Sequence, residues 1–82
     1  MEIVKGQIVA SKAGHDEGKF FVVLELESGF VYLADGKERK LNNPKKKNLK
    51  HITKTDTVVE MPNSDKQLKK LLNNFSRVNQ ED

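Results

Sequence analysis

The sequence predicts a mainly β fold, in which a small β-barrel of about five short strands is followed by one C-terminal amphipathic α-helix. Three observations predict it. Apolar residues alternate with a period of two in the first part of the chain, turn-forming residues separate the apolar runs, and a helical period replaces the alternation near the C-terminus. The chain has 82 residues, a length that suits one small hydrophobic core.

A β-hairpin is predicted over residues 19–35. Apolar runs begin at Phe20 and at Phe30, on either side of the tight-turn dipeptide Ser28-Gly29. A shorter alternating strand around residues 8–11 precedes the hairpin. Strict alternation along the long strand gives two predicted faces, one with Phe20, Val22, Leu24 and Leu26 and the other with Phe21, Val23, Glu25 and Glu27.

The remaining barrel elements are predicted from turn residues in the basic middle of the chain. Gly, Asn, Asp and Pro divide this region into short pieces, as in other small barrels. The predicted pieces are a turn at 35–36, a strand with a basic outer face at 37–41, a turn at 42–44, a protruding exposed loop at 45–47 and a last short strand at 48–53.

A helix is predicted over residues 65–78. Ser64 and Gln67 form a Ser-x-x-Gln capping box at its start. Apolar residues then follow at helical spacing and form one stripe, which comprises Leu68, Leu71, Leu72, Phe75 and Val78. The predicted division of the chain is a barrel over 1–54, a linker or extra strand over 55–63, and the helix and tail over 64–82.

Three roles are open for the helix. Its apolar stripe can pack back on the barrel and seal one end, or it can dock on a partner or a second copy of the chain. In the third role the helix lies across RNA, with Lys69, Lys70 and Arg77 against phosphates.

The charges are segregated along the chain. The whole sequence has 15 Lys and Arg against 12 Asp and Glu, a net charge of +3. Residues 37–54 contain eight basic side chains and one acidic side chain, so this segment carries +7 and the remainder carries −4. Such an asymmetry indicates a polyanionic partner. Each lysine that neutralises a phosphate releases counterions, so binding should weaken as salt rises.

Composition argues against several other classes of protein. The chain has no Cys, which excludes disulfides, thiolate zinc sites and thiol catalysis. His15 and His51 lack the spacing of a metal site, and no catalytic triad or P-loop pattern is present. No targeting segment or long apolar run is visible. We therefore expect a cytoplasmic binding protein without enzymatic activity, cofactor, metal or membrane partner.

The most informative stretch is a strand, a glycine-bounded loop and a second strand over residues 6–24. Gly14 and Gly18 can adopt positive φ, which would let the loop reverse and present backbone N–H groups outward. Lys12 and Lys19 flank the loop. These features fit a loop that contacts phosphate, and they also fit a plain hairpin turn in a stable barrel.

This stretch resembles the KOW motif of ribosomal and transcription-factor proteins. The similarity is greatest to the large-subunit ribosomal proteins of the fourteen-e type and their short bacterial relatives, where Gly-x-x-x-Gly-Lys precedes bulky residues and the next strand ends in Asp-Gly, as at Asp35-Gly36 here. The resemblance covers residues 3–53 and implies an SH3-like barrel that binds RNA. Two acidic residues in the loop, Asp16 and Glu17, depart from the basic loops of many KOW motifs, and Phe21 stands where the general motif often has Gly.

RNA binding is therefore the expected function, with ribosomal or other structured RNA as partner and with a ribosomal protein as a further partner. Recognition should depend on backbone and shape, because lysine offers point charges and few base-reading side chains are present. The expected contacts are Lys12, Gly14, Gly18, Lys19, Lys37, Arg39, Lys40, Lys45, Lys46, Lys47, Lys50 and His51. Phe30 and Tyr32 are expected to pack in the core, with base stacking as the alternative. A protein-interaction module and a nonspecific DNA-binding protein are the alternatives.

Overall fold

The computed structural model describes residues 2–12 and 14–79, the last two of these by their backbone alone. It contains five β-strands, two short 3-10 helices and one α-helix. The strands are β1 (Gln7–Ser11), β2 (Phe20–Glu27), β3 (Phe30–Ala34), β4 (Lys45–Asn48) and β5 (Ile52–Val58). The α-helix, α1, spans Asp65–Asn79, and the 3-10 helices span Gly14–Asp16 and Leu49–His51. The predicted class, mainly β with one C-terminal helix, is confirmed.

All neighbouring strands are antiparallel, and their order in the sheet is β4-β3-β2-β1-β5. The two edge strands, β4 and β5, follow each other in the chain through the Leu49–His51 helix. This helix is anchored at both ends, because the Leu49 N–H donates to the Gly29 carbonyl oxygen at 3.1 Å and the His51 carbonyl accepts from the Lys12 N–H at 2.8 Å. The connection gives the sheet a small barrel-like form.

The sheet has a separate apolar cluster on each face. One cluster forms the inner core and consists of Val9, Phe21, Val23, Val31, Leu33 and Ile52, with Ile3 and Leu26 packed against it. The other lies between the sheet and α1 and is centred on Ile8, Val22, Ala34, Leu68 and Leu72. Successive residues alternate between the two clusters in β1, in the first half of β2 as far as Leu24, and at Leu33 and Ala34 of β3, so these parts of the sheet are buried on both faces.

Helix α1 packs back on the sheet. Leu68 and Leu72 are buried against β1, β2 and β3, and the Phe75 ring meets the Phe20 ring edge-on with centroids 5.2 Å apart. The stripe therefore covers the outer face of the sheet and does not seal an end of the barrel. The Val78 side chain and the tail at 80–82, which belong to the predicted helical region, lie outside the described residues.

The predicted capping box is present in part at the start of α1. The Gln67 N–H donates to Ser64 Oγ at 3.1 Å, which satisfies a donor that the first turn of a helix would otherwise leave without a partner. In place of the Ser64 N–H that a capping box would use, Gln67 Oε1 accepts from the Asn63 N–H, one residue earlier, at 2.6 Å.

The strict alternation predicted along β2 fails in its second half. The pairing of β2 with β3 shifts between Val23 and Glu25, which leaves one extra residue in β2. Because a β-bulge exchanges the faces of all residues beyond it, Leu26 joins the inner core and does not share a face with Phe20 and Val22.

The predictions for residues 37–53 are wrong in detail. Residues 37–41 form turns and not a strand, and the Lys45–Lys47 segment belongs to β4 and not to a protruding loop. The last strand is β5, which runs through Val58, so a division of the chain at residue 54 falls inside a strand. Pairing with β3 produces β4, although Lys-Lys-Lys-Asn has low intrinsic β-propensity.

Candidate nucleic-acid interface

The loop between β1 and β2 lies against the basic segment of the chain. Its first part meets the Leu49–His51 helix through the Lys12 N–H and the His51 carbonyl. Further along, the Lys47 ammonium lies about 4 Å from where a side chain on Gly14 would begin. These contacts bring residues nearly forty positions apart in sequence onto one side of the molecule.

Asp16 is the central contact of this loop. Its residue surface is only 4% exposed. Its carboxylate oxygen Oδ2 lies 3.9 Å from both Arg39 Nη2 and Lys45 Nζ. In sequence, Asp16 is a departure from the basic loops of many KOW motifs; in the fold, its charge is buried and paired with two of the cations.

The last part of the loop meets the turn that follows β3. Lys19 Nζ lies 3.5 Å from Glu38 Oε1, and both side chains are at least half exposed. Taken in order, residues 12, 14, 16 and 19 of the loop lie beside residues 51, 47, 45 with 39, and 38 of the basic segment. The two predicted contact regions therefore form one continuous surface, which we call the basic surface.

Several lysines of the basic surface are available to an external anion. Lys12, Lys37, Lys40 and Lys50 are exposed, and within the described residues they form no ion pair. His51 is exposed beside Lys50 on the Leu49–His51 helix. Arg39 and Lys45, by contrast, are paired with Asp16 and hold the β1–β2 loop against the basic segment.

Three backbone N–H groups of the loop do not point outward as predicted. The N–H groups of Glu17, Gly18 and Lys19 donate to the carbonyl oxygens of Gly14, Ser11 and Asp16 respectively. Gly14 and Gly18 do adopt positive φ, at 77° and 85°. The glycines thus let the second half of the loop close on itself.

The turn region that carries Lys37, Arg39 and Lys40 is organised by two aspartates. Asp35 Oδ1 accepts from the N–H groups of Lys37 and Arg39, each at 2.8 Å. Asp65, at the start of α1, accepts from the Leu41 N–H through Oδ1 at 2.7 Å. No local pattern indicates that Asp65 takes part, because its partner is 24 residues away.

Gly36 fastens the same turn region to the helix. It has a φ of 78°, and a Cβ at this position would overlap the carbonyl oxygen of Asp65. Only glycine combines this backbone conformation with so close an approach. The first turn of α1 therefore positions the basic turn region.

Lys46 lies on the other face of β4, together with Phe30 and Tyr32. Its ammonium is 4.7 Å from the centroid of the Phe30 ring and 5.9 Å from that of Tyr32. Lys46 Nζ also lies 3.5 Å from Glu27 Oε1, and that oxygen accepts from the Tyr32 hydroxyl at 2.9 Å. We call this group the aromatic face.

The expected core packing of Phe30 and Tyr32 is wrong. Phe30 is 36% exposed, Tyr32 is half-buried, and neither ring belongs to an apolar cluster of the described residues. The reason is that α1 covers the sheet only as far as Ala34 and Leu24, so the adjoining part of β3 faces solvent.

Glu25, on the same hairpin, has a perturbed pKa. The N–H of Leu26 donates to its carboxylate at 3.2 Å, and the Lys5 ammonium lies 3.2 Å away. The Leu26 hydrogen bond is the largest single cause, followed by the hydrogen bond and then the charge of Lys5, and together they hold the pKa of Glu25 below its ordinary value.

Two further findings concern the described residues only. They contain no group of three or more His, Cys, Asp or Glu side chains that could hold a metal ion. Nor do they contain a helix whose length and apolar character would allow it to cross a lipid bilayer.

No protein-family model matches this sequence, and no curated protein matches it significantly. The basic surface and the aromatic face are therefore the features of the molecule that indicate a function.

Proposed function

We propose that this protein binds RNA, in a ribosome or in another structured RNA, by contacting the phosphate backbone through the basic surface. The observation that carries the proposal is the ordered contact between residues 12–19 and residues 38–51. It gathers cations from the β1–β2 loop, the turn region after β3, β4 and the Leu49–His51 helix onto one side. The resemblance of residues 3–53 to KOW-motif proteins supports RNA as the polyanion.

The cations have two roles in this proposal. Lys12, Lys37, Lys40 and Lys50 have no acidic partner among the described residues, so each can neutralise a phosphate without first breaking an ion pair. Binding then gains free energy from the release of condensed counterions. Arg39 and Lys45 are already paired with Asp16 and keep the loop in place.

Recognition is of backbone and shape. Lysine ammonium groups act as point charges and do not read base edges, whereas phosphate contacts fix register and orientation. The protein acts by binding alone in this proposal, in the cytoplasm and without a cofactor. A ribosomal protein is the expected neighbour if the RNA is ribosomal.

A role as a protein-interaction module through α1 has less support. Leu68 and Leu72 are buried against the sheet, so most of the apolar stripe is already used. Lys66, Lys70 and Arg77 are exposed on the helix, which makes them a useful control for general charge effects.

The proposal is tested by removing three lysines for which the described residues provide no acidic partner. We expect the triple variant Lys12→Gln, Lys37→Gln and Lys50→Gln to weaken binding to a structured ribosomal RNA fragment. The slope of log K against log salt should fall by about 0.7–0.9 for each phosphate that is no longer neutralised, hence by up to about 2–3 in all. Fluorescence anisotropy of labelled RNA at several salt concentrations measures this slope.

The control is a charge-matched triple variant on the helix, Lys66→Gln, Lys70→Gln and Arg77→Gln, which should leave the slope unchanged. An equal fall in both variants would show either that only net charge matters or that the helix itself lies across the RNA, and both results would overturn the basic surface as the binding site. Competition with duplex DNA is the second arm. If DNA displaces the RNA at equal concentration, the assignment to RNA is wrong.

A further inference from the structure

We propose that Phe30 and Tyr32 form a platform on which an unpaired base of the bound RNA stacks, with Lys46 beside it for the phosphate. This inference rests on the proposed function and specifies its ligand as RNA with unpaired nucleotides. It assigns a role to the aromatic face, which the backbone-binding proposal leaves unused.

The two rings of the aromatic face lie outside the core. Phe30 and Tyr32 stand two residues apart on β3, on the same face of the sheet, and neither is part of an apolar cluster of the described residues. Adjacent aromatic rings that stay at a sheet surface gain little burial from folding, whereas a stacked base would cover them. Base–aromatic stacking is also tolerant of sequence, because every base has a π-face.

Lys46 lies over the rings without being fixed there. Its ammonium is near both rings, but its side chain is 49% exposed and its acidic partner, Glu27, is 54% exposed. Exposed pairs of this kind contribute less than about 1 kcal/mol, so a base can displace the lysine. The displaced ammonium is then free to pair with the phosphate of the same nucleotide.

Strand β4 lies at an edge of the sheet and presents lysines to both of its sides. Residues alternate along this strand, so Lys45 and Lys47 belong to the side of the Asp16 loop and Lys46 to the side of the aromatic face. A single strand of RNA that crosses this edge meets lysines on both sides. A duplex meets only the basic surface, because its base faces are already covered by stacking.

Charge decides between RNA and a protein as the occupant. An exposed aromatic pair alone fits either one. On the aromatic face the acids opposite the rings, Glu25 and Glu27, are paired with Lys5 and Lys46. The excess of positive charge comes from Lys45 and Lys47 on the other side of the same edge strand, and a chain that crosses this edge meets all three lysines of β4, which favours a polyanion.

The experiment uses the full chain and the substitution Phe30→Leu, which keeps an apolar side chain but removes the ring. We expect its affinity for a single-stranded RNA decamer to fall by about 5-fold or more, as for the loss of one stacked base. Affinity for a fully paired RNA duplex should not change. The matched control is Phe20→Leu, which removes a ring that is covered by α1 and packs against Phe75. Circular dichroism confirms that both variants are folded.

A second readout does not depend on a variant. Tyr32 is the only Tyr of a chain without Trp, so its ring signals are assigned without ambiguity. On addition of the decamer, the ring protons of Phe30 and Tyr32 should move upfield in NMR spectra, as expected for stacked rings. The duplex should move backbone signals of the basic surface and leave the ring protons in place.

The possible outcomes separate this inference from the proposed function. If the wild-type protein binds the decamer, but Phe30→Leu binds it equally well and the ring protons do not move, the platform is wrong and the proposed function stands. If the wild-type protein binds neither RNA, both proposals fail. If the ring signals respond to a protein but not to RNA, the aromatic face is a protein-docking site and the inference is overturned.

Discussion

The two faces of β4 use the same residue type in different ways. Lys45 lies close to Asp16, whose side chain is 6% exposed, whereas Lys46 lies close to Glu27, whose side chain is 54% exposed. The first acid also pairs with Arg39, and the second accepts a hydrogen bond from Tyr32. One face is therefore closed by a buried carboxylate, and the other is open to solvent.

A run of lysines is consequently not a uniform binding surface. A buried acid makes its cations part of the fold, because separating them leaves charges without partners in a poorly solvated place. An exposed acid holds its cation weakly and releases it to a stronger anion. Consecutive lysines thus divide into structural and available groups according to the acids they meet.

The largest expected effect comes from removing the buried acid. Asp16→Asn should lower the free energy of unfolding by about 1–2 kcal/mol, since Arg39 and Lys45 lose their carboxylate while both stay about one-third exposed. Much of this loss of stability is expected to come from Arg39. Its Nε is already buried without a hydrogen-bond partner among the described residues, and the variant also removes the carboxylate beside its guanidinium group. Urea unfolding followed by circular dichroism measures the change.

The matched substitution on the open face is Glu27→Gln, which should change stability by no more than about 0.5 kcal/mol. Equal losses of stability in the two variants would show that the burial of the acid makes no difference. A double-mutant cycle of Asp16→Asn with Arg39→Gln isolates the pair itself. A coupling energy indistinguishable from zero would show that the 3.9 Å approach of the two side chains contributes nothing.

An intermediate effect is expected on RNA affinity. Glu27→Gln removes the acid that competes for Lys46, so binding of single-stranded RNA should become about 2- to 5-fold tighter, the range of an exposed ion pair. Anisotropy titrations at low and high salt measure it, and the gain should shrink at high salt. Glu60→Gln, which also removes an exposed acid, is the control. A comparable gain there would assign the effect to net charge.

The smallest effect concerns the pH dependence of Glu25. Because its pKa is lowered in the folded state, the carboxylate stabilises the fold above its unfolded pKa, and this contribution is lost as pH falls through the folded pKa. Lys5→Gln should raise the pKa of Glu25 only part of the way, since the Leu26 hydrogen bond, the largest single cause, remains. NMR titration of the carboxyl carbon measures it. A complete return to the ordinary value would contradict this order of causes.

Local patterns are sufficient to predict the hairpin and the helix. The apolar runs around Ser28-Gly29 and the spacing of Leu68, Leu72 and Phe75 are local signals, and both elements are present. Strand β4 escapes prediction because its residues have no strand pattern of their own and pair with β3 only in the folded chain. The face of the sheet on which Leu26 lies depends on a β-bulge, and no residue type in the sequence predicts that bulge.

The candidate site is predictable as a set of residues but not as an arrangement. Charge counting identifies residues 37–54, and the glycine spacing identifies the β1–β2 loop. Their contact depends on long-range pairing, and so does the burial of Asp16. The exposure of Phe30 follows from how far α1 extends over the sheet, which alternation along β3 does not reveal. Whether these residues bind RNA stays a prediction.

The close contact between Gly36 and Asp65 connects α1 to the basic surface. The Asp65 carboxylate and carbonyl hold the turn region that carries Lys37, Arg39 and Lys40. Docking of the helix and the geometry of the basic surface are therefore thermodynamically linked. A truncation that removes α1 would weaken the binding of a ligand that never touches the helix, so the reduced affinity would report coupling through the fold and not a direct interaction.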